Sequence, residues 1–219
     1  MSGEQTAARF RLMAPSATAV RAAASIGFVA DAYDLFVINV VSTVLHAEYA
    51  GAAWSESAIK SSIMIGTILG QVTLGGAGDR LGRKTTFLTS MCLCIAFSAL
   101  SGTAPRPIGG DPRAVYVLLA ACRFMLGIGI GGEYPLSATI TAEATASTGV
   151  RTGKARALAL IFSMQGVGYC IAPLLTWLLL RTGLGLDLVW RVALAGGAVP
   201  FVLTAPIRLF MSDSHEYTH

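Results

Sequence analysis

The stretch from Ala114 to Ala142 reads AVYVLLAACRFMLGIGIGGEYPLSATITA, with only two charges in it, Arg123 and Glu133. A helix needs about 20 mostly apolar residues to cross the hydrocarbon core of a bilayer, and this stretch is longer. It shows no period-two alternation and is too long for a barrel strand. It therefore reads as a transmembrane helix.

Five further segments of the chain meet the same criterion: Ala22–His46, Ala58–Gly78, Thr85–Ala104, Ala157–Leu180 and Leu188–Ile207. The fold class expected is all-α, a polytopic membrane protein of six transmembrane helices over residues 22–207. Residues 1–21 form an N-terminal segment and residues 208–219 the start of a polar loop. Composition agrees. The 219 residues are 54% hydrophobic and 13% charged, with a mean hydropathy of +0.64. Soluble domains carry about 25% charged residues, so lipid is the solvent this sequence is built for, and six long apolar spans exclude a small soluble enzyme.

The net charge of +4 does not indicate nucleic acid, because no Lys/Arg run is interleaved with aromatics. Basic residues instead sort by loop. Arg9, Arg11, Arg21, Arg80, Arg83, Lys84, Arg151, Lys154, Arg156 and Arg208 fall on one face, against Lys60, Arg106, Arg113, Arg181 and Arg191 on the other. The richer face is the cytoplasmic one, so both termini are expected inside. Met1–Pro15 is polar and shows no cleavable signal. Cys92, Cys94, Cys122 and Cys170 lie in apolar stretches without a nearby His or a zinc-ligand spacing, and read as reduced packing residues. No metal cluster and no cofactor motif is expected; Gly127–Gly132 lacks the Lys-Ser/Thr of a nucleotide loop.

Ionisable groups inside a span cost several kcal/mol unless they face a cavity or a partner. Asp31 and Asp34 are three apart on the first span and share a face; two such carboxylates repel and suit a proton-handling role. Asp31 could alternatively be hydrated near the cytoplasmic end. Glu133 lies deep in the fourth span, beside Pro135, which can kink a helix. Ten residues separate Arg123 from Glu133, about 15 Å along a helix, so they cannot pair on one straight helix. Gln165, one turn before Tyr169 on the fifth span, is either interhelical glue or a substrate contact. Gly66, Gly70, Gly127 and Gly131 stand at the spacing of close helix packing.

Three motifs carry a resemblance. Gly75-Gly-Ala-Gly-Asp79-Arg80-Leu-Gly82-Arg83-Lys84 resembles the loop motif of the major facilitator superfamily, where acid, bases and glycines form a breakable latch. Gly127-Ile-Gly-Ile-Gly-Gly-Glu133-Tyr134-Pro resembles the fourth helix of fungal and plant phosphate:proton symporters. Phe162-Ser-Met-Gln165-Gly166 and Asp31-Ala-Tyr-Asp34-Leu-Phe36 are similar to the fifth and first helices of that family, and Arg208-Leu-Phe-Met-Ser-Asp-Ser-His-Glu-Tyr217 to the segment entering its central loop.

The resemblance implies the N-terminal half of the major facilitator fold, two inverted three-helix repeats, and transport rather than catalysis. It implies phosphate-binding roles for Tyr134 and Gln165, and proton-coupling roles for Asp31, Asp34, Glu133 and Arg123. The partners it implies are inorganic phosphate, protons, a lipid bilayer (expected to be the plasma membrane) and a missing C-terminal half or a second copy, the chain being expected to be a fragment. Two departures stand out: Glu133 replaces the family's usual Asp, and the loop Ala144–Lys154 reads as longer than usual. A glycerophosphodiester or sugar symporter, and a non-transporting half-transporter or phosphate sensor, are the alternatives.

Overall fold

The structure, a computed structural model, describes residues 17–49, 53–105, 112–146 and 151–210. They form seven helices: α1 (Ala17–Tyr49), α2 (Ala53–Leu81), α3 (Arg83–Gly102), α4 (Arg113–Ala146), α5 (Arg151–Arg181), α6 (Leu186–Ala195) and α7 (Ala198–Leu209). Six stretches within them are long and apolar enough to cross a membrane, α6 and α7 together making the sixth.

The helices run further than the apolar runs alone suggest. α1 starts before Arg21, α4 continues to Ala146, and α5 begins at Arg151. The supposed long loop Ala144–Lys154 is thus helical at both ends; residues 147–150 lie outside the described residues, as do 1–16, 106–111 and 211–219. Charged and polar residues extend a helix beyond the hydrocarbon at little cost, which is why hydropathy underestimates helix length. The turn between α2 and α3 rests on Gly82, whose φ of +94° favours a residue without Cβ. Its carbonyl accepts hydrogen bonds from the amide of Thr86 at 3.2 Å and from the Thr86 hydroxyl at 3.0 Å.

α1 and α4 form the centre. Their apolar windows are 67% and 56% buried, against 28% for α2 and 17% for α5. The most extensive packing pairs are α2 with α4 and α1 with α5, followed by α3 with α4; α6 and α7 lie against α1 and α3. Each three-helix unit therefore lays its middle helix on the first helix of the other unit.

Glycine makes the α2–α4 contact possible. A Cβ on Gly70 would stand 2.8–2.9 Å from the backbone of Ile128, and one on Gly127 would press on the Ile63 carbonyl. Only hydrogens can occupy that seam, and the two backbones approach closely. Pro135 lies inside α4, which is assigned as helix straight through it.

The sixth span, Leu186–Leu209, is interrupted locally at Gly196-Gly197, both of which keep right-handed helical φ and ψ, a glycine pair being a recognised cause of a kink. Carbonyls at a helix end need partners from elsewhere. Here the Tyr33 hydroxyl donates to Ala193 at 2.5 Å and the Ser98 hydroxyl to Leu194 at 2.9 Å.

Candidate functional site

Among the described residues, five acidic and basic side chains are fully buried: Asp31 and Asp34 from α1, Arg123 and Glu133 from α4, and Arg208 from α7. A lone buried charge is costly and a buried charge pair is retained only with good partners, so their pairing defines the site. Asp34 meets Arg123, with Nη1 at 3.5 Å from Oδ1. Ser98 on α3 reaches the same Asp34 oxygen at 3.4 Å. Gly197, at the interruption in the sixth span, lies against the Asp34 carboxylate with no room for a Cβ.

Glu133 meets Arg208 in a close ion pair. The Arg208 guanidinium also faces the Ala23 carbonyl at 3.5 Å and lies over the Phe87 ring at 4.4 Å. Arg123 and Glu133 do not pair with one another; each is neutralised from another helix, as their separation along α4 requires.

Asp31 differs from the other two acids. It is 0% exposed, neither of its carboxylate oxygens has a hydrogen-bond partner, and among the described residues the ion pairs of the site go to Asp34 and Glu133 and not to it. Hydration near a membrane surface is therefore not its situation. Carboxylate oxygens of Asp31 and Glu133 and the Cys94 sulfur lie within 4.8 Å of one another. Arg208 already brings a fixed positive charge to that point, which disfavours a metal ion. Three acids face two arginines, so the cluster carries one carboxylate without a cation of its own.

Tyr134 is half-buried, its ring edge-on to Phe28 at 5.2 Å. It borders the cluster of Ala24, Phe28 and Ile161 that Met164 also touches. Gln165, the next residue, is half-buried, and Tyr169 packs on Phe36 at 5.6 Å. The structure thus brings Asp34 to Arg123 and Asp31 to Glu133 between α1 and α4, with Tyr134 beside Phe28; Gln165 lies half-buried on α5.

The latch motif lies apart from this cluster. A Cβ on Gly75 would meet Pro135 at 3.2 Å, Arg80 is exposed, and Arg83 and Lys84 are half-exposed. The Asp79 side chain is outside the described residues.

Three participants escaped the sequence reading. Arg208 was placed in a polar loop; it belongs to the last turn of α7 and is fully buried. Cys94 was read as packing and sits against two acids. Ser98 was not singled out. Its signal was a stripe on α3, where Ser90, Cys94, Ser98 and Ser101 are all buried at helical spacing.

The chain matches the family described as Sugar (and other) transporter over residues 20–219. It belongs to that family. It is 34% identical to the probable inorganic phosphate transporter 1-6 of Arabidopsis thaliana, an alignment covering 88% of this chain and 41% of the plant protein. It is 35% identical to the low affinity inorganic phosphate transporter 4 of Petunia hybrida, covering 89% and 41%. The chain therefore spans about two-fifths of the length of the curated relatives it matches. The bundle superposes on the partially occluded inward-open xylose transporter XylE from E. coli with a TM-score of 0.76 at 18% identity, covering 91% of this chain and 51% of that one. It superposes on a D-xylose-proton symporter with a TM-score of 0.74 at 19% identity, covering 93% and 50%. This all-helical chain is a multi-pass membrane protein with half of the major facilitator fold, from a family of transporters rather than enzymes.

Proposed function

We propose that the chain forms one six-helix half of an inorganic phosphate:proton symporter working by alternating access, paired with a second six-helix half or a second copy. The observation that carries this is the buried cluster of Asp31, Asp34, Glu133, Arg123 and Arg208 with one carboxylate in excess. The kinship with plant inorganic phosphate transporters supplies the substrate class.

A proton on the carboxylate without a cation brings the cluster to neutrality, and in that state an anion can approach along α1, α4 and α5. Tyr134 offers a hydroxyl and Gln165 an amide for phosphate oxygens. Loss of the proton restores the negative charge and expels the anion. Asp31 is the residue without a cation, so it is the group we assign to this step. Gly75, Asp79, Arg80, Gly82, Arg83 and Lys84 would serve as the latch towards the second half. The richer basic face would be cytoplasmic, with the plasma membrane as the expected location.

The test is radiolabelled phosphate uptake into proteoliposomes holding the chain together with its second half. The expected result is accumulation that requires an inward proton gradient. Asp31→Asn should abolish gradient-driven accumulation while leaving phosphate exchange at equal pH. Accumulation of a glycerophosphodiester or a sugar in preference to phosphate would move the assignment to that substrate. Undiminished gradient-driven uptake by Asp31→Asn would remove Asp31 from the proton step.

A further inference from the structure

The two buried arginines do different work. Arg123 pairs with Asp34 where α4 meets α1. Arg208 occupies the last turn of α7 and is the point where the sixth span touches three other helices: α4 through Glu133, α1 through the Ala23 carbonyl, and α3 through the Phe87 ring. Two of its nitrogens, Nε and Nη1, have no hydrogen-bond partner; among the described residues Glu133 is its ion-pair partner, and the Asp31 carboxylate stands beside Glu133. Gly27 of α1 lies directly against this pair and leaves no space for a Cβ. Around it stand Asp31 from α1, Cys94 from α3 and Phe201 from α7's own first turns.

We propose that Arg208 is a positioning residue for Glu133, and that the charge on Glu133 in turn holds Arg208 and the end of the sixth span in their seat against α1, α3 and α4. A guanidinium stays ionised under all ordinary conditions, and a charge left unpaired in a dry interior is strongly unfavourable. Neutralising Glu133 removes the ion-pair partner of Arg208 and leaves it, among the described residues, only the Asp31 carboxylate, beyond ion-pair distance, so the end of α7 is released from its seat. A change of charge at one acid of the site thereby becomes a movement of the span end. The purpose of this coupling rests on the transport reading above; its existence does not.

Cys94 provides a native reporter, since its sulfur is fully buried beside Glu133. In a full-length chain with Cys92, Cys122 and Cys170 replaced by Ser, Cys94 should react very slowly with a small water-soluble methanethiosulfonate. Glu133→Gln, nearly isosteric, should speed the reaction by an order of magnitude or more. Arg208→Lys should stay slow, because it keeps the charge pair. Glu133→Gln combined with Arg208→Leu should also be slow, because the guanidinium that would move out is gone, and it guards against a single variant that fails to fold. A lost packing contact would not be reversed by a second substitution. Labelling of Glu133→Gln no faster than its parent, or a double variant as fast as the single one, would overturn the proposal. Because the readout is thiol labelling, failed phosphate uptake leaves this result standing and counts against the transport reading alone.

Discussion

At the scale of single residues, Asp34 and Arg123 form a unit that cannot lose one member. Both are fully buried, and breaking a buried pair by removing one partner costs about 3–5 kcal/mol. Arg123→Met should therefore lower the thermal unfolding midpoint of the purified chain sharply, and adding Asp34→Leu should recover most of the loss. A single variant as stable as the parent would show that water reaches Asp34 and that the pair is not a dry one. The identity of the pair was only half legible in the sequence. Helix geometry excluded Glu133 as the partner of Arg123, but naming Asp34 needs the approach of α1 to α4. Arg208 was misplaced for a related reason. It follows Pro206 and precedes a polar run, so local composition reads as a loop, whereas its burial comes from Phe87, Ala23 and Glu133, all distant in sequence.

At the scale of helices, the α2–α4 seam is the most exacting feature. Gly66, Gly70, Gly127 and Gly131 place backbone against backbone, and their four-residue spacing made this contact visible in advance. Gly70→Leu should separate the two helices and leave little monodisperse protein on size exclusion, whereas the same change at Gly76, where a Cβ meets nothing within 4 Å, should be tolerated. Equal yields would mean the seam is looser than described. The sixth span taught the opposite lesson. Leu188–Ile207 is apolar but for Arg191 and Thr204, so hydropathy reads one span, which holds over Leu186–Leu209, and gives no sign of the interruption inside it. The interruption at Gly196-Gly197 depends on Tyr33, Asp34 and Ser98 standing opposite it, which is tertiary information.

At the scale of the molecule, α2 and α5 present broad apolar faces. Ile65, Ile68 and Val72 are 53–72% exposed on α2, and Leu174, Trp177 and Leu178 are 48–54% exposed on α5. Such faces suit lipid, and under the function proposed above one of them would meet the second six-helix unit; the chain aligns with about half the length of each solved transporter. Accessibility of the four free cysteines follows from the same arrangement. Cys92 and Cys170 are exposed, and Cys94 and Cys122 are buried. In mild detergent, where a lipid-facing thiol can meet water, a maleimide should modify the first pair well before the second, which it should reach only after denaturation. Mass spectrometry showing early modification of Cys122 would contradict the packing of α4. The six spans and their fold class were legible because bilayer thickness writes itself directly into run length. The partners inside the bundle were not, because every ion pair of the site joins different helices.

The crossed arrangement of the two three-helix units bears on how the chain is made. Asp31 and Asp34 leave the ribosome first, Arg123 and Glu133 later, and Arg208 last. Spans that enter the bilayer before their partners exist must do so on hydropathy alone, with helix association following insertion. The early product therefore holds two acids in the membrane without a cation, and α2 without the helix it rests on. A nascent chain stopped after α3 lacks the α4 surface on which α2 packs, and one stopped before Arg208 carries Glu133 unmatched. Synthesis through the last turn of the sixth span is thus the point at which both buried ion pairs can first form.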